Sequence, residues 1–252
     1  MKYITSRDNP LIKHIIKLEK RSYREKSRQY IVEGKRLAEE AFFCAKNAVS
    51  AIVASESYGA APSSSYVVPD KLFAELCHTD TPQGILCVMD MPIPAQIDYA
   101  AASKLLILDG ISEPGNMGTI IRTSEAVGAD AVILLKGCTD AFSPKAVRST
   151  MGSIFRQKLV AMDSAEELNT LKQNGFTLAA ASLDGENMYS VHSPGKLAII
   201  IGSEPHGVST EVAALAVKLI KIPMAGGVES LNAAASAAVM AYRFWGQNLT
   251  SD

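Results

Sequence analysis

The second half of the chain alternates between short apolar runs and segments with helical periodicity. Six such runs, each bounded by a turn signal, are LLILDG, AVILLKG, QKLVAM, TLAAASL, KLAIIIGSE and LIKIPM. Short continuous apolar runs separated by helical segments are typical of strands that are covered by helices on both faces. The pattern therefore predicts an α/β domain with a mostly parallel sheet.

Two helices in this half carry clear start and stop signals. In SAEELNTLKQNG, Ser164 is a candidate N-cap, Glu167 closes a capping box and Gly175 follows the helix end. In FSPKAVRSTMGSIF, Ser143 caps the helix and Pro144 takes its first position. Both helices are therefore predicted to begin directly after a serine.

A proline-containing stretch, MPIPAQIDYAAAS at residues 91–103, separates the two halves. Upstream, LIKHIIKLEKRSYREK predicts an amphipathic basic helix and RQYIVEGKRLAEEAFFCAKN a strand leading into a helix. AVSAIVAS predicts a strand, and SYVVPDKLFAELCHTDTPQGILCVMD a strand, a helix and a strand. We expect a small α/β domain over residues 1–98, followed by a larger domain over 99–252.

Composition is that of a globular protein, with 48% hydrophobic and 20% charged residues in 252. No apolar run approaches the roughly 18 residues of a membrane span, and MKYITSRDNP lacks the apolar core of a signal peptide. We therefore expect a cytoplasmic protein without a membrane segment. The four cysteines and four histidines show no ligand spacing, which indicates buried thiols and no metal site.

Charge is unevenly distributed along the chain. Residues 1–36 hold 11 Lys or Arg against 4 acids, a net charge of +7, whereas the remainder carries about −8. A basic segment fits contact with a nucleic-acid backbone, because neutralising phosphates releases counterions. A solvated helix face remains the equally open alternative. The candidate phosphate contacts are Lys13, Lys17, Lys20, Arg21 and Arg24.

Three loops that follow predicted strands carry polar residues. Because ligands of open α/β sheets bind at the carboxyl ends of the strands, these positions are candidate sites. LDGISEPGNMGTIIRTSEAVGAD contains Asn116 and Arg122, with Arg122 expected in the second turn of a helix near the loop mouth. The alternative is an Arg122 paired with Glu125 on the same helix. The second loop, IIIGSEPHGVS, contains Gly202 and Glu204.

The third loop, IPMAGGVESLNAAASAAVMAYRFW, places Ser230, Leu231 and Asn232 before an alanine-rich helix. Small side chains let another backbone approach closely, although alanine is also simply the best helix former. Neither GxGxxG after a strand nor GxxxxGK[ST] occurs, so the two common phosphate-binding loops are absent.

Together, NMGTIIRTSEAVGA, IIIGSEPHGVS and IPMAGGVESLNAAASAAVMAYRFW resemble, in order and spacing, three motifs of one family. That family is the SpoU branch of the SPOUT superfamily, the TrmH-like RNA 2′-O-ribose methyltransferases. The resemblance covers residues 104–248 and includes FSPKAVRSTMGSIF. It implies methyl transfer from S-adenosyl-L-methionine to a ribose 2′-hydroxyl of RNA. It also implies a mostly parallel sheet with a deep trefoil knot, a feature otherwise nearly absent from proteins.

The same resemblance assigns roles to individual residues. The expected catalytic positions are Arg122, Asn116, Glu204, Ser230 and Asn232. The expected contacts to S-adenosyl-L-methionine are Gly202, Ile222 and Leu231. Glu113 departs from the family pattern, where Asp is commoner, and so does His206, where a small or basic residue is frequent.

Family members pair through the knotted domain, so the resemblance implies a homodimer. The helix end Tyr242-Arg243-Phe244-Trp245 is a candidate apolar contributor to that interface. The alternative is that Phe244 and Trp245 pack into the core of their own chain.

The first half, through TSRDNPLIKHIIKL and YIVEGKRLAEEA, resembles the ribosomal-protein-like RNA-binding domain that many of these enzymes carry. This makes RNA the expected partner, with 23S rRNA as the first expectation and tRNA as the alternative. Two other interpretations stay open. They are a non-catalytic RNA-binding protein of the same fold and a small-molecule enzyme that uses a nucleotide in an unrelated α/β sheet.

Overall fold

The computed structural model describes residues 1–192, 195–227 and 230–248. The first half of the chain forms a five-stranded mixed sheet with helices. Its elements are β1 (Lys2–Tyr3), α1 (Pro10–Lys17), α2 (Arg21–Ser27), β2 (Gln29–Glu33), α3 (Lys35–Cys44), β3 (Val49–Ser55), β4 (Tyr66–Val68), α4 (Asp70–Leu76) and β5 (Ile85–Asp90).

This first sheet has the strand order β1-β4-β3-β5-β2. β1, β4 and β3 run parallel, whereas β5 is antiparallel to both β3 and β2. Its core contains Ile12, Ile15, Phe73 and Leu86, so α1 and α4 bury their apolar faces with the sheet strands. The predicted small α/β arrangement of this half is confirmed.

The predicted basic helix is wrong as a single element. It is broken into α1 and α2, and Lys20 between them has extended backbone angles. The Arg24 guanidinium donates hydrogen bonds to the carbonyl oxygens of Leu18 and Glu19, at 2.7 and 2.6 Å, where the first helix stops. These bonds satisfy carbonyl groups that a helix end leaves without partners.

The second half contains six strands and five α-helices within the described residues. Its elements are β6 (Lys104–Asp109), α5 (Pro114–Ala126), β7 (Ala131–Leu135), α6 (Pro144–Ser149), β8 (Leu159–Met162), α7 (Leu168–Gln173), β9 (Thr177–Asn187), β10 (Leu197–Gly202), α8 (Thr210–Leu215), β11 (Lys218–Lys221) and α9 (Ala233–Trp245).

The second sheet has the order β11-β9-β10-β6-β7-β8, and every neighbouring pair is parallel. All six predicted strands are confirmed. The central strands β6 and β10 are almost wholly buried, as expected for a sheet covered on both faces. The α/β class with a mostly parallel sheet is therefore correct.

The helix signals of this half are also confirmed, with shorter helices than the sequence pattern suggests. The Ser143 side chain accepts from the Ala146 N–H at 3.4 Å, and Pro144 begins α6. The capping box of Ser164 and Glu167 is formed, but it opens a 3₁₀ turn that continues into α7. Gly175 follows with a φ of +83°, which a glycine adopts without strain.

The chain divides into two compact units, and they do not follow the chain order. The first unit comprises Met1–Ile93 and Asp140–Phe155, and the second comprises Pro94–Thr139 and Arg156–Asp252. The sequence assigns 140–155 to the second domain because it lies between two of that domain's strands. In the structure this segment, which includes α6, packs with the first unit.

A buried ion pair holds the inserted segment in the first unit. The Arg24 guanidinium donates to the Asp140 carboxylate from both Nε and Nη2, at 2.9 and 2.5 Å. The Arg24 side chain is 4% exposed, so this cation is not available to a phosphate. Its selection as a phosphate contact is therefore wrong, because a partner 116 residues away in the sequence neutralises it. The rings of Tyr30 and Phe142 add a contact at 5.0 Å between centroids.

Two further properties agree with a folded α/β protein. Within the described residues no helix is long and apolar enough to cross a membrane. None of the four cysteines forms a disulfide; Cys87 and Cys138 are buried, and Cys44 and Cys77 are half-buried. Burial raises the pKa of the Cys87 thiol to about 12, which makes it a poor nucleophile at neutral pH.

Candidate active site

A pocket of about 570 Å³ opens at the carboxyl edge of the second sheet. It is lined by the end of β9, by the turn after β10 and by the chain that leaves β11. Because parallel strands all end at the same edge, segments distant in sequence meet there. The pocket therefore lies where an open α/β sheet binds its ligands.

One wall of the pocket is the turn after β10, residues 203–209, here called the pocket loop. Ser203 and Gly207 exchange two backbone hydrogen bonds, at 2.9 and 2.8 Å, which close the turn on itself. A Cβ at Gly202 would collide with the backbone of Gly207 and Val208. Only glycine at position 202 allows the loop to fold back this tightly.

The three residues expected to contact a cofactor all line this pocket. They are Gly202 at the end of β10, Ile222 just after β11, and Leu231 before α9. The Leu231 side chain is 38% exposed, which is high for a leucine. An exposed leucine in a concave site leaves apolar surface for a ligand to cover.

Three of the expected catalytic residues form one hydrogen-bonded chain. The Asn116 side-chain amide donates to the Glu204 carboxylate. The Asn232 amide donates to the Asn116 side-chain oxygen at 3.0 Å. The structure therefore brings together α5, the pocket loop and the start of α9 through side chains 88 and 116 residues apart.

Local sequence explains how α5 presents Asn116. Pro114 takes the first helical position, and the Glu113 carboxylate caps the helix by accepting from the Gly115 N–H at 3.3 Å. The departure of Glu113 from the family pattern thus keeps an N-capping acceptor. Asn116 is consequently held in the first turn of α5, with its side chain at the loop mouth.

Asn232 has two functions because it is also the N-cap of α9. Its side-chain oxygen accepts from the N–H groups of Ala234 and Ala235, at 2.9 and 3.3 Å, while its amide nitrogen reaches Asn116. The small side chains that follow pack α9 against α5 and β10. The buried residues of α9 include Ala233, Ala234, Ala237 and Ala241. The interpretation that alanines permit close approach is therefore supported by the packing.

The far end of α9 differs from the expectation. Phe244 and Trp245 are 6% and 4% exposed, so they pack into the core of their own chain. The prediction that Phe244 and Trp245 contribute to an interface is therefore wrong, because they are already buried within their own chain. Tyr242 and Val239, 49% and 37% exposed, form the apolar part of the outer face of α9.

Ser230 lines the pocket, but Arg122 does not join the polar chain. Arg122 is the ninth residue of α5, and so lies in its third turn rather than its second. Six residues of helix place it about 9 Å along the axis and about 120° around from Asn116. It is exposed on the solvent face of α5. Arg122 thus lies on a different part of α5 from Asn116.

Glu125, the partner that the sequence offers for Arg122, forms its ion pair with another residue. Glu125 is paired with Arg156, which follows the inserted segment. Within residues 1–192, 195–227 and 230–248, the Arg122 side chain forms no hydrogen bond or ion pair. Its guanidinium is therefore available to an anion that approaches from outside the chain.

The lining offers hydrogen bonds and apolar surface rather than metal ligands. No group of three His, Cys, Asp or Glu side chains that could hold a metal ion occurs among the described residues. Among the described lining residues, Glu204 and Asp184 are the carboxylates, and none is a lysine or arginine. A ligand with positive charge therefore fits better than an anionic one.

Sequence reasoning missed two kinds of residue at this edge. The end of β9, including Leu183 and Asp184, lines the pocket, yet no local signal shows that β9 pairs with β10. The second is Asp109, the last residue of β6. It is a buried carboxylate that accepts from the Ser209 N–H at 2.7 Å. A charged residue ending a buried apolar strand is the signal that could have identified it.

Comparison with known families yields two matches that together span most of the chain. The family described as "SpoU rRNA Methylase family" matches residues 103–242. The domain family described as "MRM3-like substrate binding domain" matches residues 9–87.

The chain is also similar to characterised relatives along nearly its whole length. It is 32% identical to 23S rRNA (guanosine(2553)-2′-O)-methyltransferase RlmP of Bacillus subtilis (strain 168), covering 98% of this chain and 100% of that protein. An AdoMet-bound rRNA methyltransferase from Sinorhizobium meliloti superposes with a TM-score of 0.85 at 27% identity, covering 99% of each chain. A crystal structure of an RNA 2′-O ribose methyltransferase superposes with a TM-score of 0.83 at 28% identity, covering 98% of this chain.

The close approach at Gly202 leads to a stability prediction. Gly202→Ala should lower the free energy of unfolding by about 1–3 kcal/mol, because backbone atoms that meet the new methyl group cannot rotate away. Urea unfolding measures this loss. Gly227→Ala is the matched control, since nothing lies within 4 Å of its Cβ position. Equal unfolding midpoints for the two variants would contradict the tight contact.

Proposed function

Because the chain belongs to the SpoU rRNA methylase family, we propose that it methylates a ribose 2′-hydroxyl of RNA with S-adenosyl-L-methionine, and that 23S rRNA is its substrate. The observation that carries the proposal is the polar chain of Asn116, Glu204 and Asn232 at the carboxyl edge, where Glu204 also lines the pocket. The full-length similarity to a 23S rRNA methyltransferase supports the choice of RNA.

The pocket residues fit S-adenosyl-L-methionine in shape and charge. Its volume of about 570 Å³ is in the range of small-molecule sites. Gly202 exposes backbone, while Ile222 and Leu231 supply aliphatic surface suited to an adenine ring. The cofactor carries a sulfonium and an ammonium against one carboxylate. The described lining includes Glu204 and Asp184 and contains no lysine or arginine, so its charge complements that of the cofactor.

When bound, S-adenosyl-L-methionine supplies a methyl group on an electrophilic sulfonium. The chain's own residues must then align the ribose hydroxyl and help it to lose a proton. Asn116, Asn232 and Glu204 restrain one another, so we assign them to orienting the ribose. Ser230 lines the same pocket and is assigned a polar contact beside them.

Arg122 is assigned an electrostatic role rather than that of a general base. A guanidinium has a pKa above about 12, so it is almost never deprotonated in a protein. Its position on the solvent face of α5, without a partner in the described chain, favours contact with an RNA phosphate and with the developing alkoxide.

We expect Arg122→Ala to lower the methylation rate by roughly 10²–10³-fold, the effect of removing a preorganised donor, with S-adenosyl-L-methionine affinity unchanged within a few-fold. Single-turnover assays and calorimetry measure the two quantities. Arg122→Lys tests charge against planar geometry, since lysine keeps only the charge. Lys172→Ala, at an exposed cation on α7, is the control and should leave the rate unchanged. A normal rate for Arg122→Ala would remove Arg122 from the site.

We also propose that the domain at residues 1–98 binds the RNA substrate, while residues 99–252 form the catalytic domain. Lys13, Lys17, Lys20 and Arg21 are exposed on α1, α2 and the turn between them. Lys13 and Arg21 form ion pairs with exposed acids, Asp8 and Glu25. Such surface pairs contribute little and exchange readily for phosphate.

Replacing Lys13, Lys17, Lys20 and Arg21 by Gln should weaken RNA binding and reduce its salt dependence. The slope of log affinity against log salt should fall by roughly 0.7–0.9 for each lost phosphate contact. Filter binding over a salt series measures the slope, while calorimetry should show unchanged S-adenosyl-L-methionine binding. Arg24→Gln is the control. Because Arg24 is buried and paired with Asp140, this variant should lower the stability of the fold but leave the salt slope unchanged. If the salt slope of the quadruple variant equals that of the wild type, these four residues form a solvated helix face and do not contact phosphates.

A homodimer through the second unit is proposed from the outer face of α9. Val239 and Tyr242 lie one helical turn apart there and remain exposed. Apolar and aromatic surface of this kind is typical of interface cores. A second copy on this face would cover the largest exposed side chain of α9, Tyr242.

Light scattering at micromolar concentration should therefore give a dimer mass for the wild type. Tyr242→Asp combined with Val239→Asp should shift the mass toward a monomer, since two charges would be buried in the interface. Phe43→Asp serves as control, because Phe43 is 91% exposed on α3 of the first unit and lies outside the proposed interface. A monomeric wild type would refute this arrangement.

Two further features belong to the same proposal. The site of action is the cytoplasm, where ribosomal RNA is accessible. The last segment, through α9, is proposed to pass through an earlier loop as a trefoil knot. The very close backbone approach at Gly202 and the small buried face of α9 are compatible with such crowding.

Mapping 2′-O-methyl sites in cellular RNA with and without this chain tests the function directly. Loss of one site in 23S rRNA is the expected result, and loss of a site in tRNA would redirect the substrate assignment. Purified protein with labelled S-adenosyl-L-methionine and total RNA should reproduce the modification. RNA binding without methyl transfer would instead favour a non-catalytic RNA-binding protein.

A further inference from the structure

Asp109 is a buried carboxylate that the proposed reaction does not use. It is the last residue of β6 and lies opposite Gly202, the last residue of β10, in the register of the two strands. Its exposure is 9%, and within the described residues it forms no ion pair. A buried charge without a cation is unfavourable unless hydrogen bonds compensate it, so its bond partner is informative.

That partner is the backbone N–H of Ser209, which donates to Asp109 Oδ2 at 2.7 Å. Ser209 is the last residue of the pocket loop and the N-cap of α8, where its side chain accepts from the Val212 N–H at 3.4 Å. The first end of the loop follows Gly202, which is paired with Asp109 across the sheet. Asp109 therefore holds the exit of the loop beside its entrance.

The closed loop in turn carries the pocket wall. Between its two ends, Ser203 and Gly207 are joined by backbone hydrogen bonds, and Gly207 has a φ of +68°. Glu204 projects from this turn to accept from Asn116 on α5. The pocket loop is thus attached to the segment from β6 to α5 twice, at its base by Asp109 and at its mouth by Asn116.

We infer that Asp109 is a positioning residue for the cofactor, and that its carboxylate keeps the pocket loop closed before S-adenosyl-L-methionine binds. The inference rests on the proposed function for the identity of the ligand, but the loop attachment stands on the geometry alone. Without the bond, the Ser209 N–H loses the carboxylate that fixes the loop exit, and the loop must be ordered during binding. Preorganised loops bind more tightly because that ordering is already complete.

The test compares Asp109→Ala with Asp130→Ala. Asp130 lies before β7, and its carboxylate accepts from the N–H groups of Ser103 and Lys104 at 2.8 Å, around the start of the same strand β6. Both variants remove a carboxylate that holds backbone N–H groups, but only Asp109 is attached to the pocket loop. Calorimetry measures S-adenosyl-L-methionine affinity, and hydrogen exchange measures protection of residues 203–212 without ligand.

Asp109→Ala should weaken S-adenosyl-L-methionine binding roughly 10- to 100-fold, the range for one hydrogen bond to a charged group. Amide exchange in 203–212 should accelerate at least about ten-fold. Asp109→Asn keeps an acceptor and should recover affinity to within a few-fold. Asp130→Ala should leave both quantities unchanged. Equal effects of Asp109→Ala and Asp130→Ala would show a merely structural role and overturn the inference.

A second pair of variants covers the case in which Asp109→Ala does not fold. Ser209 has a φ of −60°, which proline adopts, so Ser209→Pro removes the donor N–H without backbone strain at that residue. Ser209→Ala loses only the side-chain cap and is its control. Weaker affinity and faster exchange in Ser209→Pro alone support the inference, and equal values in both variants overturn it.

The same experiment distinguishes a failure of the proposed function from a failure of the positioning role of Asp109. If the wild type does not bind S-adenosyl-L-methionine, the proposed function fails, while exchange in residues 203–212 still decides whether Asp109 holds the loop. If the wild type binds the cofactor and the Asp109 variants behave like the Asp130 control, the function stands and the positioning role is overturned.

Discussion

The common direction of the six strands in the second unit is the constraint on which the pocket depends. Parallel strands place all their carboxyl ends at one edge, so every loop that leaves this edge meets the others. Asn116 and Asn232 are 116 residues apart and still share a hydrogen bond. Helices cover both faces of the sheet, so the central strands are buried and the ends of the loops are held in place.

The polar chain at this edge has a chemical property that suits orientation more than proton transfer. Two amides and one carboxylate satisfy one another, with Asn232 also capping α9, so a shift of any member disturbs the others. The one strong cation proposed for the reaction, Arg122, lies outside this chain on the solvent face of α5. In the role proposed for it, this exposed charge would act on groups of the RNA rather than on the polar chain itself.

In the first unit, charge serves two different purposes that composition cannot separate. Lys17 and Lys20 are exposed, whereas Arg24 is buried and holds the inserted segment through Asp140. Glu33 is likewise buried and lies 3.6 Å from Arg148 in that segment. Residues 140–155 lie between two strands of the second unit in the sequence, but they pack in the first unit. The two units are linked by three chain crossings rather than by one linker.

Local sequence determined the elements whose causes are local. Apolar runs defined all six strands of the second sheet, and Ser143, Pro144 and Gly175 marked helix ends correctly. These features depend on backbone sterics and on burial patterns within a few residues, and the family motifs likewise located the pocket lining. Tertiary structure alone decided which strand lies beside which, where residues 140–155 pack, and that the basic helix breaks between Lys17 and Arg21. It also placed Arg122 away from Asn116 along α5 and paired the buried Asp109 with the backbone of Ser209. Each of these outcomes depends on a contact between residues far apart in the chain, and the pattern of neighbours along a sequence carries no information about such partners.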